Sequence, residues 1–536
     1  MTEPEFHQQG PELDNTWHSD TFLQAALQRL LPRQVFEAIA PGLENLGARA
    51  AGEMLRHAAD AERHPPEHIP WDPWGRRIDD IRVADGWTQL HRIAAEEGIV
   101  ATAYERKQEE HSRVHQFARL YLYHPSSAIC SCPLAMTDGA ARVIELHGDD
   151  ALRGSAFRRL TSRDPAIFWT SGQWMTERAG GSDVSRTATV ARMQDGRYRL
   201  FGTKWFTSAT TSQMALTLAR IEENGTASSE LGLFQLELRG ADGRLNNIRV
   251  HRLKDKLGTR ALPTAELTLE GTPAVLVGER GKGVRTIATM LNITRLYNAC
   301  SSASHMRRGL MLAGDYARKR IAFGKPLADH PLHAETLAAL EAETRGATLM
   351  VLHAAALLGQ DETGTANATE VKLLRLLTPL IKLYTAKQAV AVCSEVLECF
   401  GGAGYIEDTG LPALLRDAQV LSIWEGTTNV LALDLLRAAG KDESLPLWLA
   451  DMHTRLDGLE SSALTAVRDT IRQRLAALPG QLEDDSERHA RRIAFAAARI
   501  FGAVLLAEQA DWELQRGDHS SQDMLEYWLR GTILPA

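Results

Sequence analysis

Along this chain the spacing of apolar positions changes twice. From Ser19 to about Leu160 apolar residues recur at the three-and-four spacing of a helical face, as in Thr21-Phe22-Leu23-Gln24-Ala25-Ala26-Leu27, which predicts amphipathic helices. The stretch His64 to Trp74 interrupts them. Pro65, Pro66, Pro70 and Pro73 each lack a backbone donor and block helix continuation, so an extended loop over the helices is expected there. Between about Ile167 and Val277 the period falls to two, in Tyr198-Arg199-Leu200-Phe201-Gly202, Leu233-Phe234-Gln235-Leu236-Glu237-Leu238 and Ala265-Glu266-Leu267-Thr268-Leu269, which predicts strands. After Gly283 the helical period returns over Thr286 to Lys319, His333 to Leu358 and Glu370 to Phe400, the last stopped by Gly401-Gly402. Helices of that length suit a four-helix bundle. A polar linker, Gly440-Lys441-Asp442-Glu443-Ser444, separates them from a further helical region that begins near Leu445.

The pattern divides the chain into an N-terminal helical domain over 1–166, a middle antiparallel β domain over 167–280, a helical bundle over 281–440 and an extra helical region over 441–536. This is an α+β multidomain plan. At 536 residues the chain exceeds what one hydrophobic core serves, and 44% hydrophobic with 24% charged residues is an ordinary globular balance. No run approaches the roughly 20 uninterrupted apolar residues that span a bilayer. Met1 to Gly10 is polar rather than a signal-peptide core, so a cytoplasmic protein with no membrane attachment is expected. Five cysteines fit reduced thiols better than a disulfide framework, and Cys130-Ser131-Cys132 has no second pair to complete a metal site, so no metal is expected. A formal charge of -8 and a pI near 6.2 give no global attraction to nucleic acid or anionic membrane, which leaves a cofactor or small substrate as the expected partner.

Four stretches carry candidate chemistry. Met175-Thr176-Glu177-Arg178-Ala179-Gly180-Gly181-Ser182-Asp183 gathers hydroxyls and glycines where the β domain begins; such a stretch is a turn, or a place where backbone N–H groups meet a ligand closely. Gly202-Thr203-Lys204-Trp205-Phe206-Thr207-Ser208 sets an aromatic pair before two hydroxyls on a strand, either as core or as a face for a flat ring. Arg320-Ile321-Ala322-Phe323-Gly324-Lys325-Pro326-Leu327 offers an arginine and an aromatic at a helix end, for a pyrophosphate or simply for the helix dipole. The fourth joins Phe400-Gly401-Gly402-Ala403-Gly404-Tyr405 to Leu415-Arg416-Asp417 and Ile423-Trp424-Glu425-Gly426-Thr427-Thr428-Asn429, where apolar neighbours would make a desolvated Glu425 a better base.

In this order and at these separations the four stretches resemble the acyl-CoA dehydrogenase superfamily over roughly Trp174 to Arg437. Several wordings look most like its AidB-type branch: Met-Thr-Glu-x-x-Gly-Gly-Ser-Asp, Lys-Trp-Phe-x-Ser, Arg252-Leu253-Lys254-Asp255-Lys256-Leu257-Gly258, and Ser422-Ile423-Trp424-Glu425-Gly426. Gly75-Arg76-Arg77-Ile78-Asp79-Asp80 and the extra C-terminal helices extend the likeness to nearly the whole chain. The resemblance implies an N-terminal helical domain, a barrel-like β domain and a four-helix bundle, with FAD bound between domains and partly across a subunit interface of a homotetramer. It implies flavin contacts from Met175, Thr176, Gly181 and Ser182, from Phe206, Thr207 and Ser208, and from Trp424, Thr427 and Asn429. Arg320 and Phe323 would reach the FAD of a neighbouring subunit. Glu425 would take a proton from the carbon beside an acyl-CoA thioester while hydride passes from the next carbon to flavin N5, with an electron-transfer flavoprotein as the default acceptor.

Ala322, Glu398 and Asn292 depart from the commoner family residues threonine, glutamine and aspartate. The AidB-type branch is also associated with DNA binding in an alkylation response. From Lys441 to Ala536, however, 11 Lys and Arg face 16 Asp and Glu, a balance of -5. Arg488, Arg491, Arg492 and Arg499 share a helical stripe beside Glu483-Asp484-Asp485 and Glu487, which is read as a solvated mixed-charge face. A protein that binds flavin or acyl-CoA with little turnover is the third reading.

Overall fold

The computed structural model describes residues 8–223, 225–440, 443–481 and 486–531. Lys441 and Asp442 of the expected linker, Glu483, Asp484 and Asp485, and the first seven positions lie outside the described residues. Helices α1 (Thr16–Ser19), α2 (Thr21–Leu30), α3 (Arg33–Ala51) and α4 (Glu53–Arg63) come first. Strands β1 (Glu67–Trp71) and β2 (Arg77–Arg82) follow, then α5 (Asp85–Glu96), α6 (Ala101–Glu105), α7 (Ser112–Tyr123), α8 (Ser131–His147), α9 (Asp150–Leu152) and α10 (Arg158–Leu160). Strands β3 (Ser171–Gln173), β4 (Val190–Gln194), β5 (Arg197–Ser208), β6 (Met214–Glu223), β7 (Thr226–Glu237), β8 (Ile248–Leu253) and β9 (Thr264–Val277) build the middle sheet. Beyond them are α11 (Gly283–Lys319), the short strands β10 (Ile321–Ala322) and β11 (Lys325–Pro326), α12 (Pro331–Thr363), α13 (Ala368–Cys399), α14 (Pro412–Leu421) and α15 (Thr428–Ala439). The C-terminal region holds α16 (Ser444–Asp457), α17 (Thr465–Ala477), α18 (Ser486–Leu514) and α19 (Ser520–Arg530).

The chain folds as two compact units that divide the N-terminal helices between them: 52–107 and 126–297 form one, and 8–51, 108–125 and 298–531 form the other. This division cuts across the expected N-terminal block ending at 166.

In the first unit the expected loop from His64 to Trp74 is instead part of a hairpin, with β1 antiparallel to β2. The prolines are compatible with pairing because Pro65 and Pro66 precede the strand, Pro73 sits in the turn, and the register shifts between Ile69 and Trp71, around Pro70. Asp79 pins the hairpin to the larger sheet: its carboxylate accepts from His68 Nε2 (2.8 Å), Arg77 Nε (2.8 Å) and the Val250 N–H (3.1 Å). In that sheet β6 pairs with β4 and β7, β4 with β5, β5 with β9 and β9 with β7, which closes a five-strand barrel; β3 extends it along β6 and β8 along β9. The inward positions, among them Trp174, Leu200, Phe234, Leu236 and Leu267, are fully buried. The antiparallel expectation holds for most pairs, but β3 and β4 run parallel to β6. Two chain reversals separate β4 from β6, so the two strands run in the same direction.

In the second unit α12, α13 and α15 pack together, and Gly309 of α11 lies against Val396 of α13. α13 opens on a capping box, Asn367 with Glu370, and Gly401, with φ +58, ends it as the Gly-Gly pair predicts. The extra helices are not an appendage. α18 packs against α12, α13 and α15, and α19 closes over α12 and α18. By length and composition α18 is apolar enough to cross a membrane, but it is a core helix here, with 78% of its apolar window buried. The expected solvated arginine stripe is only partly present: Arg488, Arg491 and Arg492 are exposed, whereas Arg499 is half-buried and pairs with Glu343 of α12. α19 covers the stripe at that point. All five cysteines are free thiols.

Candidate functional site

The barrel presents one group of site residues. After β3 the chain makes a tight turn in which the Glu177 and Gly180 backbones exchange two hydrogen bonds of 3.1 Å. Gly180 has φ +142, a value open to glycine alone, and Gly181 sits so close to Thr176 that a Cβ would lie 2.7 Å from the Thr176 hydroxyl. Met175, Thr176 and Gly181 are half-buried and Ser182 is exposed. The Trp205 N–H donates to the Thr176 carbonyl at 2.9 Å, so the first two candidate stretches are joined directly through their backbones. On β5 Phe206 is 49% exposed. Ser208 is half-buried and shares a 3.0 Å hydrogen bond with Thr264. Thr207 is fully buried and its hydroxyl donates to the Ala265 carbonyl at 2.8 Å. Its neighbours Phe206 and Ser208 lie on the opposite side of the pleat.

Two charge clusters fix this face, and sequence reasoning missed both. Lys204, wholly buried, donates from Nζ to Glu177 Oε1 (2.8 Å) and to the Leu218 carbonyl (3.3 Å). Glu177 also accepts from the Thr189 hydroxyl (2.5 Å), the Thr189 N–H (3.2 Å) and the Ala188 N–H (2.7 Å). Burial alone would raise the Glu177 carboxyl, but Lys204 and these donors outweigh it and hold it below its ordinary value. The second cluster is Lys254, Arg252 and Glu266. Lys254 Nζ lies 2.6 Å from Glu266 Oε1, 3.8 Å from the Trp205 ring centre and 4.6 Å from that of Phe206. Glu266 also takes two bonds from Arg252, at 2.7 and 3.0 Å, and these cations hold its carboxyl down to about 2. Glu177 and Lys204 are 27 residues apart, and Arg252 faces Glu266 across β8 and β9, so both pairings depend on how the strands are paired.

The helical unit presents the second group. α14 ends at Leu421, whose carbonyl accepts from Asn298 Nδ2 at 3.0 Å, and α15 starts at Thr428. Between them Glu425 has φ +61 and Gly426 φ +108. A left-handed non-glycine residue costs about 1–2 kcal/mol, so the surroundings must impose it. Buried Lys382 of α13 does so in part by donating from Nζ to the Gly426 carbonyl at 2.6 Å. Leu431 closes on Gly426, where a Cβ would meet it at 2.9 Å. Trp424 and Glu425 are half-buried, and Thr427 and Asn429 are exposed. Thr427 occupies the N-cap of α15, yet its hydroxyl makes no capping bond, so the helix N-terminus is open to an anionic or polar ligand group.

Arg320 and Phe323 sit on the β10–β11 hairpin, both exposed, Phe323 to 97% with φ +50. Its ring stands edge-on to that of His330, with 6.2 Å between centres. Gly401 and Gly402 are exposed with nothing near their missing side chains. Within each unit the residues fit a flavin nucleotide: a flat apolar ring beside hydroxyls and a glycine turn on the barrel, and an uncapped helix start and an exposed arginine on the helices. Among the described residues no cluster of His, Cys, Asp or Glu is arranged to hold a metal ion.

Known proteins share the sequence and fold of this chain. The adaptive response protein AidB N-terminal domain matches residues 8–164, the acyl-CoA dehydrogenase middle domain 172–272 and the acyl-CoA dehydrogenase C-terminal domain 281–440. Acyl-CoA dehydrogenase family member 11 of Caenorhabditis elegans is 44% identical over 94% of this chain and 86% of its own. The crystal structure of C. elegans ACDH-11 in complex with C11-CoA superposes with a TM-score of 0.96 at 42% identity, covering 100% of this chain and 94% of that one. Putative acyl-CoA dehydrogenase AidB of Escherichia coli K12 is 32% identical over 78% of this chain and 77% of its own. An acyl-CoA dehydrogenase from Bacillus anthracis, crystallised with FAD, has the same fold at 18% identity, with a TM-score of 0.73 over 95% of this chain and 89% of that one.

Proposed function

The chain belongs to the acyl-CoA dehydrogenase family, in its AidB-type branch, and from that premise we propose that it is an FAD-dependent enzyme that introduces the α,β double bond of an acyl-CoA thioester. Glu425 is the base. The observation that carries this reading is the Glu425–Gly426 turn, a carboxylate held at a strained backbone position by Lys382 rather than left on a flexible loop. Its side chain takes the proton from the carbon beside the thioester. Its backbone N–H helps to polarise the carbonyl, without which a carboxylate is too weak a base for that carbon. FAD, when bound, supplies the two-electron acceptor. Met175, Thr176, Gly181, Ser182, Phe206 and Ser208 hold it from the barrel, with Thr207 serving through its backbone. Trp424, Thr427 and Asn429 contribute from the helical unit. Arg320 and Phe323 serve the FAD of a neighbouring copy in a cytoplasmic homotetramer, and an electron-transfer flavoprotein reoxidises the cofactor.

The C11-CoA complex of the C. elegans relative supports a CoA thioester as substrate. A DNA-bound role draws less support, because the tail is acidic and Arg499 is spent on Glu343. The test is anaerobic: the purified protein should be yellow, and saturated acyl-CoAs, the C11 thioester among them, should bleach it. If FAD is bound and no acyl-CoA reduces it, the dehydrogenase reading fails. Glu425→Gln should keep the colour and slow bleaching at least about 100-fold. Bleaching at the wild-type rate would remove Glu425 from the reaction.

A further inference from the structure

Lys254 has no part in proton removal, yet its placement is unusual for a lysine. Its side chain is 11% exposed, its ammonium lies over two aromatic rings at 3.8 and 4.6 Å, and it is tied at 2.6 Å to a carboxylate that Arg252 also grips. The three groups carry two positive charges and one negative. Arg252 is 63% exposed and largely screened by water, so the shielded positive charge next to the rings belongs to Lys254. Arg178, 5.6 Å from the Trp205 ring, adds to the same sign. One of the two rings, Phe206, is the half-exposed aromatic on the face assigned above to the flavin.

We infer that Lys254 is a positioning residue that sets the electron affinity of the bound flavin by holding a cation behind Trp205 and Phe206. The inference rests on the FAD reading of this face. Reduction by two electrons and one proton leaves the ring system one unit more negative, so a fixed neighbouring cation favours the reduced form. A unit charge acting over about 10 Å at an effective dielectric near 20 shifts such an equilibrium roughly tenfold.

The reduction potential of bound FAD would be measured by spectroelectrochemical titration of purified holoprotein, with FAD content read from the same samples. Lys254→Met should favour the oxidised form about tenfold, about 30 mV more negative for a two-electron couple. Lys254→Arg keeps the charge and should keep the wild-type potential, which a purely packing role for the lysine would not predict. Glu266→Gln removes the opposing charge and should move the potential the other way, so the sign decides even if Lys254→Met does not fold. Wild-type potentials in Lys254→Met or Glu266→Gln with FAD fully bound would overturn the inference. A wild-type protein that takes up no FAD would overturn the flavin reading itself.

Discussion

Replacing Lys204 by methionine tests whether the Glu177–Lys204 pair holds the barrel face around Trp205 and Phe206 together. Lys204 is fully buried and Glu177 nearly so, with 2.8 Å between Nζ and Oε1. Removing one partner of such a pair typically costs 3–5 kcal/mol, because the other charge is left buried. Glu177 keeps three donors, the Thr189 hydroxyl and the N–H groups of Ala188 and Thr189, which places the expected cost near the lower end, about 3 kcal/mol. At about 1.4 kcal/mol per tenfold, amides of β5 and β6 should exchange with solvent roughly 100-fold faster under native conditions. Adding Glu177→Gln removes the stranded charge, while the amide oxygen still accepts from Ala188 or Thr189. The double variant should therefore exchange more slowly than Lys204→Met alone, by a factor worth at least about 1 kcal/mol. The pH dependence carries a definite sign. A carboxyl held below its unfolded value near 4.5 contributes stability that is present above that value and lost as pH falls through the folded one. Without Lys204, only the three remaining donors oppose the rise that burial causes, and opening of β5 should begin at higher pH. If the double variant is destabilised by the sum of the single effects, the two side chains act independently and the reasoning fails.

The remaining predictions concern the helical unit. A Cβ at Gly346 would lie 2.3 Å from Cζ3 of Trp528. Gly346→Ala should lower stability by about 1–3 kcal/mol through overpacking, and Trp528→Leu in that background should restore part of the thermal midpoint. Arg499 bonds Glu343, the Tyr384 hydroxyl and the carbonyls of Trp528 and Gly531. Arg499→Met should cost about 3 kcal/mol and expose the segment beyond α18 to protease, and a cleavage rate equal to wild type would show that the latch is elsewhere. Burial pushes the His305 imidazole down to about 4 from an ordinary 6.5. The unfolded chain then takes up a proton that the folded one refuses, so stability falls as pH drops from about 6.5 toward 4, by about 3 kcal/mol for this group. His305→Gln should flatten the thermal midpoint over that window. An unchanged slope would mean that His305 gains its proton without cost.

Much of the fold is legible in the sequence wherever one element decides its own burial. The run Leu233 to Leu238 marks β7, with Phe234, Leu236 and Leu238 entering the barrel core while Leu231 to Leu236 are buried on both faces, and Gly401 ends α13 because the backbone there is left-handed. Legibility stops where the deciding partner is distant. The prolines from Pro65 to Pro73 argue against a strand locally, but β1 pairs around them, and the hairpin is pinned by Val250, far along the chain. Arg499 shares a helical stripe with Arg488 and should be fully wet by periodicity alone; it is half-buried because α19, folding back, lies over it. Lys204 reads as one polar position on an alternating strand, and its partner Glu177 reads as one residue of a turn. Only the closed barrel brings the two together.

Glu425 shows the same division within a single residue. The motif from Ile423 to Asn429 places an acid beside a tryptophan between two helical periods, and that is all that spacing can supply. Glycine would adopt φ +61 at no steric cost, so a glutamate at this position carries strain that packing alone does not require. The strain persists because Lys382 fixes the following carbonyl and Leu431 closes over Gly426, contacts that come from α13 and α15 rather than from the motif. Together they set the carboxylate on a short rigid turn at the start of α15, where a residue in an ordinary helical conformation would continue α14 and carry the acid away. The candidate acid is visible in the residue types; what holds its carboxylate still on this turn is buried Lys382, which no motif announces.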